Sequence, residues 1–407
     1  MGIGPILSAM RRNRVGAILI AVQIAVTYAV LCNSLFVVQQ RVALSQRPSG
    51  TDEQDIFIVE SVSLSDPAQL IARQGADLDS LRALPGVVDA FASGTYPFAN
   101  DGFAEGFGTF PDQEGPTTIA AAYFADDHTL NTLDLRLVAG RNFSPAEVVD
   151  LQNEDLPSPA VIIVSRAFAD KMFPRGGALG KKVYNAQPKT ASVIIGIVDR
   201  LQSPWTSATG PTSTFVDNTV LVPVHFAWTD SYYVVRSRPN RLSSVMQQAQ
   251  RTLTALEPTR IIKLAQPLSA ARTDSYRDDV GVAVILGVVS AALMAVTVFG
   301  IVGLTSYWVS QRQQQIGIRR ALGATRSAIL RYFQTENLLI VSAGILLGLS
   351  LAVALNLWMV TKFEMHRLDS LYPAIGAVLI LLLGQLSAFW PARRAASIPP
   401  ALATRAA

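Results

Sequence analysis

Residues 15–38 read VGAILIAVQIAVTYAVLCNSLFVV, 24 residues without a charged side chain. About 20 apolar residues at a rise of about 1.5 Å each cross the hydrocarbon core of a bilayer, so this stretch is a membrane-span candidate. A cleaved signal peptide matches less well, because its apolar core runs only about 7–15 residues before a small-residue cleavage site. Moving outward, three further apolar runs follow at 280–309, 337–360 and 371–390. The first of these, as a helix of about 45 Å, exceeds a core of about 30 Å and must tilt or leave the bilayer. The preceding SAARTDSYRDD of 269–279 is polar and free of Gly and Pro, which predicts one continuous helix rising out of the membrane.

Composition agrees with a membrane protein. Of the 407 residues, 50% are hydrophobic and 16% charged, with a mean hydropathy of +0.32. A soluble domain carries about 25% charged residues, and a disordered chain is poor in apolar ones. The single Cys32 excludes an internal disulfide framework, a Cys-rich zinc site and a CxxC motif, and the three histidines form no HExxH.

Charge sets the orientation. Residues 1–14, 311–334 and 391–407 hold eleven arginines and no acid, whereas 39–279 holds 21 Lys+Arg and 27 Asp+Glu, a net of −6. By the positive-inside rule the arginine-rich segments are cytoplasmic and 39–279 lies outside. The net charge of +4 thus reports topology, and no nucleic-acid partner is expected.

The outer segment reads as two βαβ units flanking an insertion. An extended run at 55–62 precedes a helix signal, with Ser65-Asp66 as caps, Pro67 at the first position and Leu70, Ile71, Leu78 and Leu81 on the apolar face. Leu84-Pro85-Gly86 stops it before a strand at 87–92. The pattern recurs with a strand at 231–235, Asn240 as cap, a stripe of Leu242, Val245, Met246, Ala249, Leu253 and Leu256, and a strand at 260–264. This predicts a ferredoxin-like sandwich interrupted by a mainly β subdomain. The insertion carries strands at 117–123, 160–164, 192–198 and 219–222 and a helix at 166–173.

No catalytic constellation is legible. The RGGALGKK of 175–182 lacks the first glycine and the final hydroxyl of a phosphate loop and reads as a turn entering a strand. Adjacent acids (Asp126-Asp127, Glu154-Asp155, Asp278-Asp279) read as solvated surface. The spans hold no ionisable residue at their centres, which disfavours an ion-coupled carrier. Glu336, at a span end, reads as hydrated by headgroups.

The most informative stretch is QRQQQIGIRRALGATRSAILRYFQ at 311–334, where apolar residues interleave with five arginines. Gly317 and Gly323 allow kinks and Thr325 can cap a new helix. Such an element lies along the inner membrane face or offers its apolar tips to a soluble partner. The core from Ile316 to Ala324 closely resembles the signature of the FtsX/MacB superfamily of ABC-transporter permeases. The resemblance extends to the plan of one span, a large outer domain and three spans. It also extends to the tail (391–396 and 399–402) and to LRLVAGRNF at 135–143 and GIV at 196–198.

The fold class expected is therefore a membrane protein with four transmembrane α-helices plus an α+β extracytoplasmic domain. Its organisation is a cytoplasmic N-terminus 1–14, span 15–38 and outer domain 39–279. The outer domain divides into ferredoxin-like halves 55–97 and 226–267, insertion 98–225 and stalk 268–279. Span 280–310, cytoplasmic turn 311–334, span 335–360, outer loop 361–370, span 371–390 and cytoplasmic tail 391–407 complete it. The resemblance implies an inner-membrane permease that couples ATP hydrolysis to movement of the outer domain, for efflux or export. It implies a cytoplasmic ABC ATPase holding ATP and Mg, with no cofactor and no catalysis in this chain. No ATPase domain is fused here, so a separate subunit is expected. A second permease copy (homodimer or heterodimer), a periplasmic adaptor, an outer-membrane channel and membrane lipid are the further partners. The ATPase contact would be made by Gln315, Ile316, Gly317, Ile318, Arg319, Arg320, Ala321, Leu322, Gly323, Ala324, Thr325 and Arg326. Gln315 stands where the family commonly has glutamate, weakening any ion pair made there. Gly344 and Gly348 are the expected helix-packing pair. The alternatives are an FtsX-like signal transmitter, a lipoprotein-release permease, and a membrane-anchored sensor or scaffold without an ATPase.

Overall fold

A computed structural model describes residues 14–64, 66, 69–111, 113–151, 159–185, 191–206, 211–226, 228–363 and 367–397. The predicted cap Ser65, the first-position Pro67, the acids Glu154 and Asp155, and the tail 399–402 lie outside them. The chain forms two compact units, Met1–Ala43 with Asp279–Ala407, and Leu44–Asp278. The first long helix is α1 (Arg14–Ser45).

In the outer unit the chain then runs β1 (Ile56–Val62), α2 (Leu70–Arg82), β2 (Val87–Ser93), β3 (Phe103–Gly108), β4 (Thr118–Ala125) and α3 (Thr129–Thr132). Next come β5 (Leu137–Gly140), β6 (Val149–Leu151), β7 (Val161–Ser165), α4 (Arg166–Met172), β8 (Lys182–Asn185), β9 (Ala191–Val198) and β10 (Thr219–Phe226). The unit closes with β11 (Asp230–Ser237), α5 (Leu242–Leu256), β12 (Ile261–Pro267) and α6 (Leu268–Ser275).

Two sheets organise these elements. One has the antiparallel order β12–β1–β11–β2, the ferredoxin-like arrangement. Its alternation is strict: Phe57, Val59, Tyr233 and Val235 face α2 and α5 through Leu78, Leu81, Val245, Ala249 and Leu253. Ile56, Ile58, Phe91 and Val234 face the opposite way. In the other sheet β4–β3–β8–β9–β7–β10 closes on itself through parallel β4–β10 pairing, with β5 on β9 and β6 on β10. Ala120, Ala122 and Phe124 fill its interior with Phe107, Ile162, Val164 and Phe168. Tyr123 and Ala125, on the other face of β4, join Ile56, Ile58 and Phe91 in one core. The insertion is thus a closed sheet that shares a core with the ferredoxin-like part. The strands β3, β5 and β6 were not anticipated, whereas β8 follows the turn at 175–182 as expected.

Two local expectations are corrected. Asn240 does not cap α5: it adopts φ +62°, and Arg241 precedes the helix without a side-chain cap bond. The stalk is not continuous with the second span, because α6 ends at Ser275, Tyr276 caps it and the next helix begins at Arg277. Tyr276 is instead anchored in the outer unit, where Gln202 Nε2 donates to its hydroxyl at 2.9 Å and the ring joins the shared core. Nearby, Arg272 Nη2 donates to the Ser45 carbonyl at 2.7 Å, and the guanidinium pairs with Glu53. Gly317, read as a residue that allows a kink, lies inside the helical segment Gln313–Ala321.

The membrane unit continues with α7 (Arg277–Gln311), α8 (Gln313–Ala321), α9 (Arg326–Phe363) and α10 (Leu371–Ala396). α1, α7, α9 and α10 are long and apolar enough to cross a membrane. α1 is central, with half of its most apolar window buried against 11% for α7. Hydrogen bonds join it to each neighbour. Thr27 and Thr297 hydroxyls meet at 2.8 Å, Asn33 Nδ2 donates to the Ala352 carbonyl at 3.2 Å, and Tyr28 donates to the Pro373 carbonyl at 2.9 Å. A Cβ on Gly344 would lie 2.7 Å from Ile24 Cγ2, and one on Gly348 would lie 2.8 Å from the Ala25 carbonyl oxygen. Both glycines therefore let α9 approach the α1 backbone.

Candidate partner-docking site

The 311–334 stretch folds as a short helical hairpin. α8 ends in a glycine turn: Gly323 adopts φ +97°, its amide donates to the Arg320 carbonyl at 3.1 Å, and the Ala324 amide donates to the Arg319 carbonyl at 3.0 Å. These are the two bonds of a Schellman stop, which only a residue free to take a left-handed conformation completes cheaply. Thr325 then starts α9, its Oγ1 accepting from the Ala328 amide at 3.3 Å. The capping expectation for Thr325 and the turn expectation for Gly323 match this geometry.

The hairpin has an inner and an outer face. Ile316 packs with Ile329 and Phe333 of α9, Val309 of α7 and Ala392, Ala395 and Ala396 of α10. Gly317 is buried with it. Gln315, Ala321, Gly323, Thr325 and Arg326 are exposed, while Arg320 and Ala324 are half-buried. Ile318 and Leu322 stand out at 52% and 82% exposure, four residues apart on one helical face. Arg319 lies 5.3 Å over the Tyr332 ring, a stacking that fixes its guanidinium beside this apolar pair. The twelve predicted residues are thus contiguous, but Ile316 and Gly317 face inward and only the others are available to a partner.

Three acids read as hydrated or solvated are buried: Asp126 and Asp279, each paired with an arginine, and Glu336 beside the hairpin. Arg312 Nη1 donates to the two carboxylate oxygens of Glu336 at 3.0 and 3.2 Å. The signal of Glu336 in the sequence was its isolation as the sole acid in 311–360, an expensive group at a span end unless partnered.

Among the described residues, no group of three or more His, Cys, Asp and Glu side chains is arranged to hold a metal. In the outer unit one buried cluster pairs its charges across α2, α5 and the sheet. Arg260 Nη2 donates to Asp77 at 2.5 Å and to Glu257 at 3.1 Å, and the Tyr233 hydroxyl donates to Asp77 at 2.5 Å. Burial pushes the Asp77 carboxyl up, opposed by its bonds to Tyr233 and Arg260. Gly176, Gly177 and Gly180 of the discounted phosphate loop all adopt positive φ in the turn before β8.

Four apolar helices, with a mixed α/β domain between the first and second, define an inner-membrane protein with a large periplasmic domain. The MacB-like periplasmic core domain model matches residues 17–264, and the FtsX-like permease C-terminal model matches 287–400. The chain belongs to the MacB/FtsX-like family of ABC-transporter permeases. It is 32% identical over 117 residues to the macrolide export ATP-binding/permease protein MacB of Nitrobacter winogradskyi, covering 28% of this chain and 18% of that protein. It is 27% identical over 292 residues to MacB of Neisseria meningitidis, covering 69% of this chain and 42% of that protein. The chain thus spans less than half the length of these relatives. The periplasmic region of MacB from Actinobacillus actinomycetemcomitans aligns with 57% of this chain and 96% of its own at 13% identity, with a TM-score of 0.33.

Proposed function

We propose that the chain is the permease of an ABC export system and that an ABC ATPase docks on the outer face of α8. ATP and Mg are held by the ATPase, and this chain catalyses nothing. The observation that carries the reading is the pair Ile318 and Leu322, strongly exposed on a helix whose other face is packed, within the family's signature stretch. Two exposed apolar side chains on an otherwise polar face form an anchor for a groove in a soluble partner, and the arginines beside them favour an acidic rim. Closure of the ATPase moves the hairpin, and the motion reaches the periplasmic domain along α7, through the helix break at Tyr276. The 35 residues of α7, about 52 Å as a helix, are ample for that. A second permease copy completes the membrane part, and a periplasmic adaptor with an outer-membrane channel completes an efflux path.

The test is capture of the ATPase from native membranes by the tagged chain carrying Ile318→Asp and Leu322→Asp. An ABC ATPase is expected to co-purify with the unsubstituted chain and to fall at least tenfold with the double variant. Equal recovery from both would overturn the docking assignment.

A further inference from the structure

The docking hairpin is joined to its neighbours by unequal links. Its apolar contacts, Ile316 against Ile329, Phe333 and the α10 alanines, are non-directional and tolerate sliding. Besides the stacking of Arg319 on Tyr332, a directional charge link sits at the start of the hairpin. Arg312 is the single residue between α7 and α8, with φ −106° and ψ 12°, so the helical path breaks there. Its guanidinium reaches both oxygens of Glu336 on α9, with side-chain exposures of 14% and 2%. The ring of Trp308, one turn earlier on α7, lies 5.9 Å from that guanidinium. The residue at the break is therefore tied to the third span by a shielded charge pair.

We infer that Arg312 and Glu336 are positioning residues that pin the α7–α8 joint to α9. The docking helix, the α7–α8 joint and the third span then move together, so displacement of α8 reaches α9 as well as α7. This rests on the docking reading for its purpose, but not for its geometry. The pair is buried, so its members depend on each other: removing one charge leaves the other without compensation in a poorly hydrated place. A directional charge pair at a helix break selects one orientation of the following helix, which apolar packing alone does not. Displacement applied at Ile318 and Leu322 is delivered to α9 at the level of Glu336, and with the pair broken α8 pivots about Arg312.

The experiment uses the full chain alone in lipid nanodiscs, without any ATPase. A spin label is placed on the exposed Ala321→Cys of α8 in a Cys32→Ser background, and its mobility is read from the EPR line shape. A single immobile component is expected for the parent. Glu336→Gln and Arg312→Gln should each shorten the label's correlation time severalfold, and the exchange Arg312→Glu with Glu336→Arg should restore the parent line shape. Unchanged mobility in the single variants, or an exchange variant as mobile as they are, would overturn the inference. Failure of all three variants to fold would overturn it too, because the pair would then be needed for folding and not for positioning. With no ATPase present, a negative result here leaves the docking assignment standing, and a failed capture there leaves this one standing.

Discussion

In the outer unit, β1 buries side chains on both faces, and the strand's alternation sends Phe57 and Val59 to one core and Ile56 and Ile58 to another. In the membrane unit, helices apolar on all sides meet through glycines and a few hydrogen bonds, as at Gly344, Gly348 and Thr27. The difference follows from the solvent. Water drives the outer cores together through apolar burial, whereas lipid tails are as apolar as leucine and give helices no such drive. Close backbone approach and interhelical bonds must then hold the bundle. Charge follows the same division: the outer unit buries a whole network around Arg260, while the pair Arg312–Glu336 holds the cytoplasmic hairpin.

The strongest way to break the comparison is Arg260→Met. It leaves Asp77 and Glu257 buried without their cation, at a cost of about 3–5 kcal/mol. The outer unit should unfold at markedly lower temperature while the bundle's helical signal persists, read by scanning calorimetry alongside far-UV dichroism. Restoring apolar consistency with Asp77→Leu and Glu257→Met should recover much of the loss. If Arg260→Met melted both units together, the two would not be energetically separate.

A smaller effect is expected from Gly344→Leu. The side chain would begin 2.7 Å from Ile24 Cγ2 and 2.9 Å from the Ala21 carbonyl oxygen, so α9 must retreat from α1, at about 1–3 kcal/mol. The bundle should lose resistance to denaturing detergent while the outer unit melts as before. Gly303, whose added Cβ would meet nothing within 4 Å, is the control, and Gly303→Leu should be tolerated. Equal sensitivity at the two positions would remove close packing as the bundle's organising feature.

The sequence was legible where one local signal sufficed. A run of 24 uncharged residues at 15–38 admits few structures besides a span, and the stripe through Val245, Ala249 and Leu253 matches the buried face of α5. It was opaque where structure depends on distant partners. β3 carries Gly106 and Gly108, and β5 has four residues, so their propensity is weak and they exist by pairing with β4 and β9. Nothing local announces the parallel β4–β10 contact that closes the second sheet. The break at Tyr276 lies in a stretch without Gly or Pro and arises because the ring is held in a core formed by remote residues. In the docking site, the Gly323 stop and the Thr325 cap were readable from residue type. The burial of Glu336 was not, because its partner Arg312 lies 24 residues earlier.

The smallest effect sharpens the contrast from the rim of the outer unit. Glu147 receives Arg141 at 2.6 and 2.8 Å and the Ser144 amide at 2.9 Å. The Arg141 bonds first, then the amide, hold its carboxyl down at about 2. A carboxyl depressed in the folded state contributes stability that is complete above the ordinary glutamate range and is lost as pH falls toward about 2. The unsubstituted chain should therefore melt slightly above Glu147→Gln near pH 6, and the gap should close between roughly pH 4.5 and 2. Because the pair is solvent-screened, the gap should be about 1 °C and shrink with added salt, unlike the salt-insensitive loss at Arg260. A gap that widened on acidification would mean that Glu147 favours its protonated form in the fold, contrary to the contacts it makes. A gap as large as that at Arg260 would erase the distinction between exposed and buried charge on which the comparison of the two units rests.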